Sequence, residues 1–152
     1  MLATEILKRD HRDVENLMAQ LEKAKGHENG MRYRPIFESL QMALQKHMMV
    51  EEEIFYPLLR NADDFGSQVV DSYDEHAEVK ALLAQMNELN PSTKEFQQVL
   101  ATMKSDIELH IVKEESDMFP IAEAQLGRER MEEIGKLIRQ AKIGTRQTVL
   151  RG

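Results

Sequence analysis

The stretch His47-Met-Met-Val-Glu51-Glu-Glu-Ile-Phe-Tyr56-Pro57 returns 63 positions later, from residue 47 to residue 110, as His110-Ile-Val-Lys-Glu114-Glu-Ser-Asp-Met-Phe119-Pro120. Both copies spell His-x-x-x-Glu-Glu-x-x-x-aromatic-Pro. A weaker echo precedes each: His11-Arg-Asp-Val14 with Leu17-Met18, and His76-Ala-Glu-Val79 with Leu82-Leu83. The chain therefore reads as two hairpins, each contributing a lone histidine and then a His-x-x-x-Glu. A spacing of four places the histidine and the glutamate on one helix face, about 6 Å apart along the axis.

The surrounding sequence supports helices. Leu, Met, Ala, Glu, Lys and Gln are plentiful, while aromatic residues make up 5% and there is no tryptophan. Gly and Pro gather at 26–35, 61–66, 90–91 and 127, which cuts the chain into a first helix over 3–25, a second over 35–59, a third over 66–89, a fourth over 92–122 and a fifth over 128–142. Pro35 suits a first turn, and Ser92-Thr93-Lys94-Glu95 offers a capping-box-like entry to the fourth helix.

Each long helix carries a narrow stripe at alternating spacings of three and four. The first has Leu7, His11, Val14, Met18 and Leu21. The second has Phe37, Leu40, Leu44, His47, Glu51, Ile54 and Leu58. The third has Val69, Tyr73, His76, Val79, Leu83 and Met86, and the fourth Phe96, Met103, Ile107, His110, Glu114 and Met118. Narrow stripes and short connections predict an all-α fold, an up-down-up-down antiparallel four-helix bundle with a short fifth C-terminal helix. Residues 1–142 are read as that bundle, and 143–152, which show no clear period, as a flexible C-terminal tail.

Length and composition set outer bounds. The 152 residues suffice for one domain with one sizeable core. A net charge of −7 and a pI near 5.3 speak against nucleic-acid partners and against docking on acidic membranes. With no cysteine there is no disulfide, thiolate nucleophile, iron–sulfur cluster or Cys-ligated zinc. The opening Met-Leu-Ala-Thr-Glu turns charged too early for a signal peptide, and the longest apolar run, the six residues Ile54 to Leu59, is far short of a membrane span. A cytoplasmic protein is expected.

The polar residues inside the apolar stripes carry the chemistry. A narrow stripe catches a given histidine roughly one time in three, so His11, His47, His76 and His110 all falling on one is about a one-percent event. Unpaired carboxylates among leucines cost several kcal/mol, so four histidines and two glutamates converging in a core call for a cation between them. Imidazole and carboxylate suit iron, zinc or manganese. Six ligands exceed what one tetrahedral zinc needs. Two ions bridged by two carboxylates, each ion taking two histidines, account for all six and leave positions open for a solvent bridge and a small ligand.

The pattern His11, His47-x-x-x-Glu51, His76, His110-x-x-x-Glu114, with the repeated aromatic-Pro and Leu126-Gly127 leading into a short last helix, resembles the hemerythrin-like (HHE) domains of the stand-alone bacterial type over residues 1–142. The resemblance implies a bundle enclosing a non-haem site of two iron ions (Fe2+/Fe3+), oxo- or hydroxo-bridged, that meets dioxygen, peroxide or nitric oxide. It makes His11, His47, His76 and His110 terminal ligands and Glu51 and Glu114 bridges. In oxygen-carrying hemerythrins the third helix supplies two histidines four apart, whereas here the second position is Lys80. Their fourth-helix aspartate lies five after the histidine; here Glu114 stands at four and Glu115 at five. The repeat selects Glu114, with Glu115 as the fallback.

One histidine fewer favours chemistry at the irons, or iron handling as a sensor or store, over reversible oxygen carriage. Tyr73, one turn before His76, either ligates in place of the missing histidine, donates a hydrogen bond to a bound oxygen species, or is an amphipathic core residue with a local acceptor. Lys80 either steers anions and pairs with a carboxylate near the site or snorkels to solvent. His27 reads as a loop histidine, and Glu52, Glu53 and Glu115 as a solvated face. Asp10 and Glu75 precede histidines but point some 100° away from them, so direct support is not expected. A homodimer or protein partner would use the fifth helix and the basic tail.

Overall fold

In the computed structural model the stripes that carry the histidines face one another across a bundle of four long helices. The structure describes residues 1–24, 33–59 and 65–151, by backbone alone beyond residue 144. Helix α1 spans Ala3–Lys23 and α2 Tyr33–Val50, the latter continuing through a π-helical turn, π1 (Glu51–Phe55), into α3 (Tyr56–Leu59). Helix α4 spans Gly66–Asn87. Helix α5 (Lys94–Lys113) runs through a second π-helical turn, π2 (Glu114–Met118), into α6 (Phe119–Arg151). No strand occurs among the described residues, and none of their helices is long and apolar enough to cross a membrane. His27 lies outside the described residues.

Local chemistry accounts for the boundaries. Pro35 sits in the first turn of α2, where its missing N–H has no helical partner to lose. Thr93 caps α5, its hydroxyl accepting from the Phe96 N–H at 3.2 Å. Gly127 (φ 81°, ψ 164°) breaks α6, a conformation that L side chains rarely adopt, and separates the fourth from the fifth predicted helix. Beyond it the backbone stays helical to Arg151, past residue 143 where the periodicity ends, because nothing after Gly144 forbids a helix.

The π turns were not foreseen, and they change the register. Each begins at the glutamate of a His-x-x-x-Glu, and the N–H five residues on bonds back to that glutamate's carbonyl, Tyr56 to Glu51 and Phe119 to Glu114. The extra residue turns the next positions of the second stripe outward. Ile54 and Leu58, expected in the core, are only half-buried, and Phe55, Tyr56 and Leu59 take the interior instead.

The interior is layered along the bundle. One apolar cluster, built on Met18, Leu21, Leu40, Leu83, Phe96 and Met103, fills one end. A second, built on Leu7, Phe55, Phe65, Phe119, Ile134 and Ile138, fills the other, where α6 packs on α1 and α2. The polar residues of the stripes form a single layer between the two.

Candidate metal centre

The layer holds His11 from α1, His47 from α2, Glu51 from π1, His76 from α4, His110 from α5 and Glu114 from π2, all no more than 8% exposed. Their donor atoms converge. Nε2 of His47 and of His76 lie 3.0 and 3.1 Å from Glu51 Oε1, with His110 Nε2 at 3.9 Å. Glu114 receives His11 Nε2 at 3.0 Å on one oxygen and His110 Nε2 at 3.3 Å on the other. Two overlapping ligand sets result, His11–His47–Glu51–Glu114 and Glu51–His76–His110, with the donor atoms of each within 4.8 Å of one another.

The contacts are close without being hydrogen bonds throughout. His47 Nε2 and both Glu51 oxygens are buried and have no partner of acceptable hydrogen-bond geometry. Buried polar atoms are seldom left so, and donor atoms crowded together without hydrogen bonds are what a cation between them would satisfy. The donor set, imidazole nitrogen with carboxylate oxygen, fits a divalent transition metal.

Without metal the cluster holds protons. Burial pulls His47 down, but the charge on the nearby Glu51 and the bond to Asp10 prevail and push it up to about 10. His110 is raised well above its ordinary value, the Glu114 carboxylate outweighing burial. Glu51 is held well below the carboxylate range, burial being overcome by the charge on His47 and by the closeness of Glu114 and the His110 and His47 rings. Protonated rings and ionised carboxylates compensate one another.

The other ring nitrogen of each of the four cluster histidines is held by a carboxylate from a neighbouring helix. His11 Nδ1 meets Glu115 at 2.7 Å, His47 Nδ1 Asp10 at 2.9 Å, His76 Nδ1 Glu52 at 3.0 Å and His110 Nδ1 Glu75 at 2.6 Å. This corrects the solvated-face reading of Glu52 and Glu115 and the expectation that Asp10 and Glu75 give no support. The 100° turn aims Asp10 and Glu75 away from their own helix's histidine and onto the next helix's. Glu115, the fallback bridge, instead orients His11. Such carboxylates fix the tautomer and raise the ring's basicity as a ligand. Glu75 is itself lowered to about 2, first by the bond from His110, against burial, and then by Lys113.

Sequence reading missed Tyr56, seen only as the aromatic of the repeat. Its hydroxyl donates to Glu114 Oε2 at 2.5 Å and lies 3.4 Å from His76 and His110 Nε2. Burial, then the charges on Glu51 and Glu114, raise it well above the usual phenol value, so it keeps its proton and donates. The matching residue of the second copy is Phe119, which stacks on the His11 ring at 5.9 Å between centroids. Tyr73 takes the bland role: its hydroxyl donates to the Glu52 carbonyl at 2.8 Å and its ring packs on Tyr56. Lys80 is half-exposed and binds both oxygens of Glu52 at 2.9 and 3.0 Å.

Two cavities reach the layer. One of about 30 Å³ has the four histidine rings on its floor and Val14, Leu44, Val79 and Ile107 in its walls. The other, about 210 Å³, lies between α4 and π2 and has Ser72, Asp117 and the buried Glu114 in its wall.

Comparison with known proteins places this geometry. A family model described as the hemerythrin HHE cation-binding domain matches residues 2–122. A protein of Nostoc sp. named DNA nickase is 27% identical over 143 residues, 94% of this chain, and the chain spans 40% of that relative's length. The crystal structure of a hemerythrin HHE cation-binding domain-containing protein from Mycobacterium kansasii shares the fold, with a TM-score of 0.83, 23% identity, and coverage of 99% of this chain and 91% of that one.

Proposed function

Because this chain belongs to the hemerythrin HHE cation-binding family, we propose that its cluster is a non-haem di-iron site that binds or reacts with a small oxidant: dioxygen, peroxide or nitric oxide. The observation that carries the reading is the double ligand set sharing Glu51, with buried donor atoms that find no hydrogen-bond partner. His11 and His47 would serve one ion, His76 and His110 the other, with Glu51 and Glu114 between them. When bound, the ions supply redox change and Lewis acidity.

The chain's own residues set what meets them. A cavity of about 30 Å³ with largely apolar walls has room for a molecule of two or three heavy atoms. Those walls shed water, which strengthens electrostatic contacts at the site. Tyr56 keeps its proton beside Glu114, His76 and His110, where its hydroxyl can donate a hydrogen bond to a ligand in that half of the cluster. Phe119 offers none in the other half. The cavity beside Glu114, with Ser72 and Asp117 in its wall, gives a small oxidant such as peroxide a second approach to the cluster.

The activity in the Nostoc relative's name stays with that protein, of which this chain matches the smaller part. With a net charge of −7, we read this chain as having no nucleic-acid partner. The test is rapid mixing of the iron-loaded chain with peroxide and, separately, nitric oxide. Consumption that is catalytic in the native chain and absent in Glu51→Ala supports the oxidant reading. Intact iron with no reaction toward either molecule or dioxygen overturns it and favours an iron sensor or store.

A further inference from the structure

Each histidine of the cluster ends a chain of three groups: ring, carboxylate, cation. The chains are His11–Glu115–Arg12, His76–Glu52–Lys80, His110–Glu75–Lys113 and His47–Asp10–Lys142. In the first three the cation comes from the helix that carries the histidine. In the fourth it comes from α6, outside the repeat.

The repeat shows why. Asp10 stands to His11 as Glu75 stands to His76, and Val50 stands to His47 as Lys113 stands to His110. The position that supplies the cation in the second hairpin is thus a fully buried valine in the first. Val50 belongs to the same apolar cluster as Met131, Ile134 and Ile138 of α6, and α6 packs on α2. A lysine at 50 would have its charge buried in that cluster away from water, which is strongly unfavourable. Helix α6 brings the charge instead, through Lys142 on Asp10.

The docking is tight enough to place that charge. A Cβ on Gly135 would collide with the Met1 carbonyl oxygen, so α6 lies against the start of α1 at a separation that glycine permits. Two turns further along both helices, Lys142 meets Asp10.

We propose that Lys142 is a positioning residue for His47, acting through Asp10, so that the C-terminal part of α6 holds one of the two metal positions in shape. The inference rests on the metal reading above. It gives the fifth helix a role inside the chain, where sequence reading assigned it a partner surface.

The test is anaerobic titration of the full chain with iron(II) against a competing chelator at fixed pH. The variants are Lys142→Met, Lys142→Arg, Asp10→Asn, the double variant Asp10→Asn/Lys142→Met, and Lys136→Met as an exposed control on the same helix. Two equivalents bound by the native chain uphold the metal reading; none would overturn that reading by itself. Expected is a loss of about tenfold in the affinity of one equivalent in Lys142→Met, the other unchanged, with recovery in Lys142→Arg and no change in Lys136→Met. The double variant should lose no more than Asp10→Asn alone. Equal weakening of both equivalents, or no weakening, overturns the proposal. A readout independent of metal is the slowly exchanging Nδ1 proton of His47 in the metal-free chain, followed by NMR. Its signal should persist in the native chain and Lys142→Arg and be lost in Lys142→Met; persistence in Lys142→Met counts against the proposal.

Discussion

Loading the cluster with metal at pH 7 is expected to release at least two protons per chain. Metal-free His47 is pushed up to about 10 and His110 is raised well above its ordinary value, so both rings are protonated at neutral pH. Ligation needs the Nε2 lone pairs that those protons occupy or that the charged ring withholds. For His47 the three pH units between 7 and 10, at 1.36 kcal/mol each, come to about 4 kcal/mol of proton removal that metal binding must supply. Apparent affinity should therefore rise about tenfold per pH unit for each proton displaced, through the range from pH 6 to 9. The assay is anaerobic addition of iron(II) to unbuffered protein with a pH indicator, repeated as a chelator-competition titration across that range. Replacing Glu51 by Gln removes the largest charge that raises His47, so the proton count should fall along with the affinity. Release of less than one proton, with affinity flat in pH, would refute the reasoning.

Three further outcomes follow from the same geometry. The metal-free chain should lose stability as pH rises from about 6.5 through about 10, because the folded-state value of His47 lies above its unfolded one; urea titrations should show a decline of a few kcal/mol that the metal-loaded chain lacks. Tyr56→Phe removes a buried donor to the Glu114 carboxylate and should lower metal-free stability by about 1.5–3 kcal/mol, whereas Tyr73→Phe, which loses a bond to a backbone carbonyl, should cost only about 1 kcal/mol. Gly127→Ala meets no steric obstacle but forces a side chain to φ 81°, so it should cost about 1–3 kcal/mol in thermal melts.

Most of the architecture was legible because the information is periodic. A stripe of three-and-four spacing names its own face, and the four histidines and two glutamates declared themselves by interrupting apolar stripes in two matching copies. The π turns were not legible from spacing, since adjacent Phe55 and Tyr56 both being interior is visible only once the register is known. Tyr56 was missed for the same reason: one extra residue turns it toward the cluster. The carboxylates on Nδ1 were lost to a narrower error, the test of each acid against its own helix alone. A signal existed, because Asp10 and Glu75 occupy matching positions, as do Glu52 and Glu115. Lys142 lay beyond any such signal, because it stands outside the repeat and meets Asp10 through tertiary packing.

The central claim is that the buried histidine–glutamate layer holds a pair of metal ions. Elemental analysis of the chain after anaerobic iron loading and removal of free metal, read with its near-ultraviolet and visible spectrum in air, tests it most directly. About two irons per chain, with oxo-to-iron bands, is the predicted result, and His47→Ala and Glu51→Ala should bind none. One zinc or no metal in the native chain, or full iron content in both variants, would contradict it.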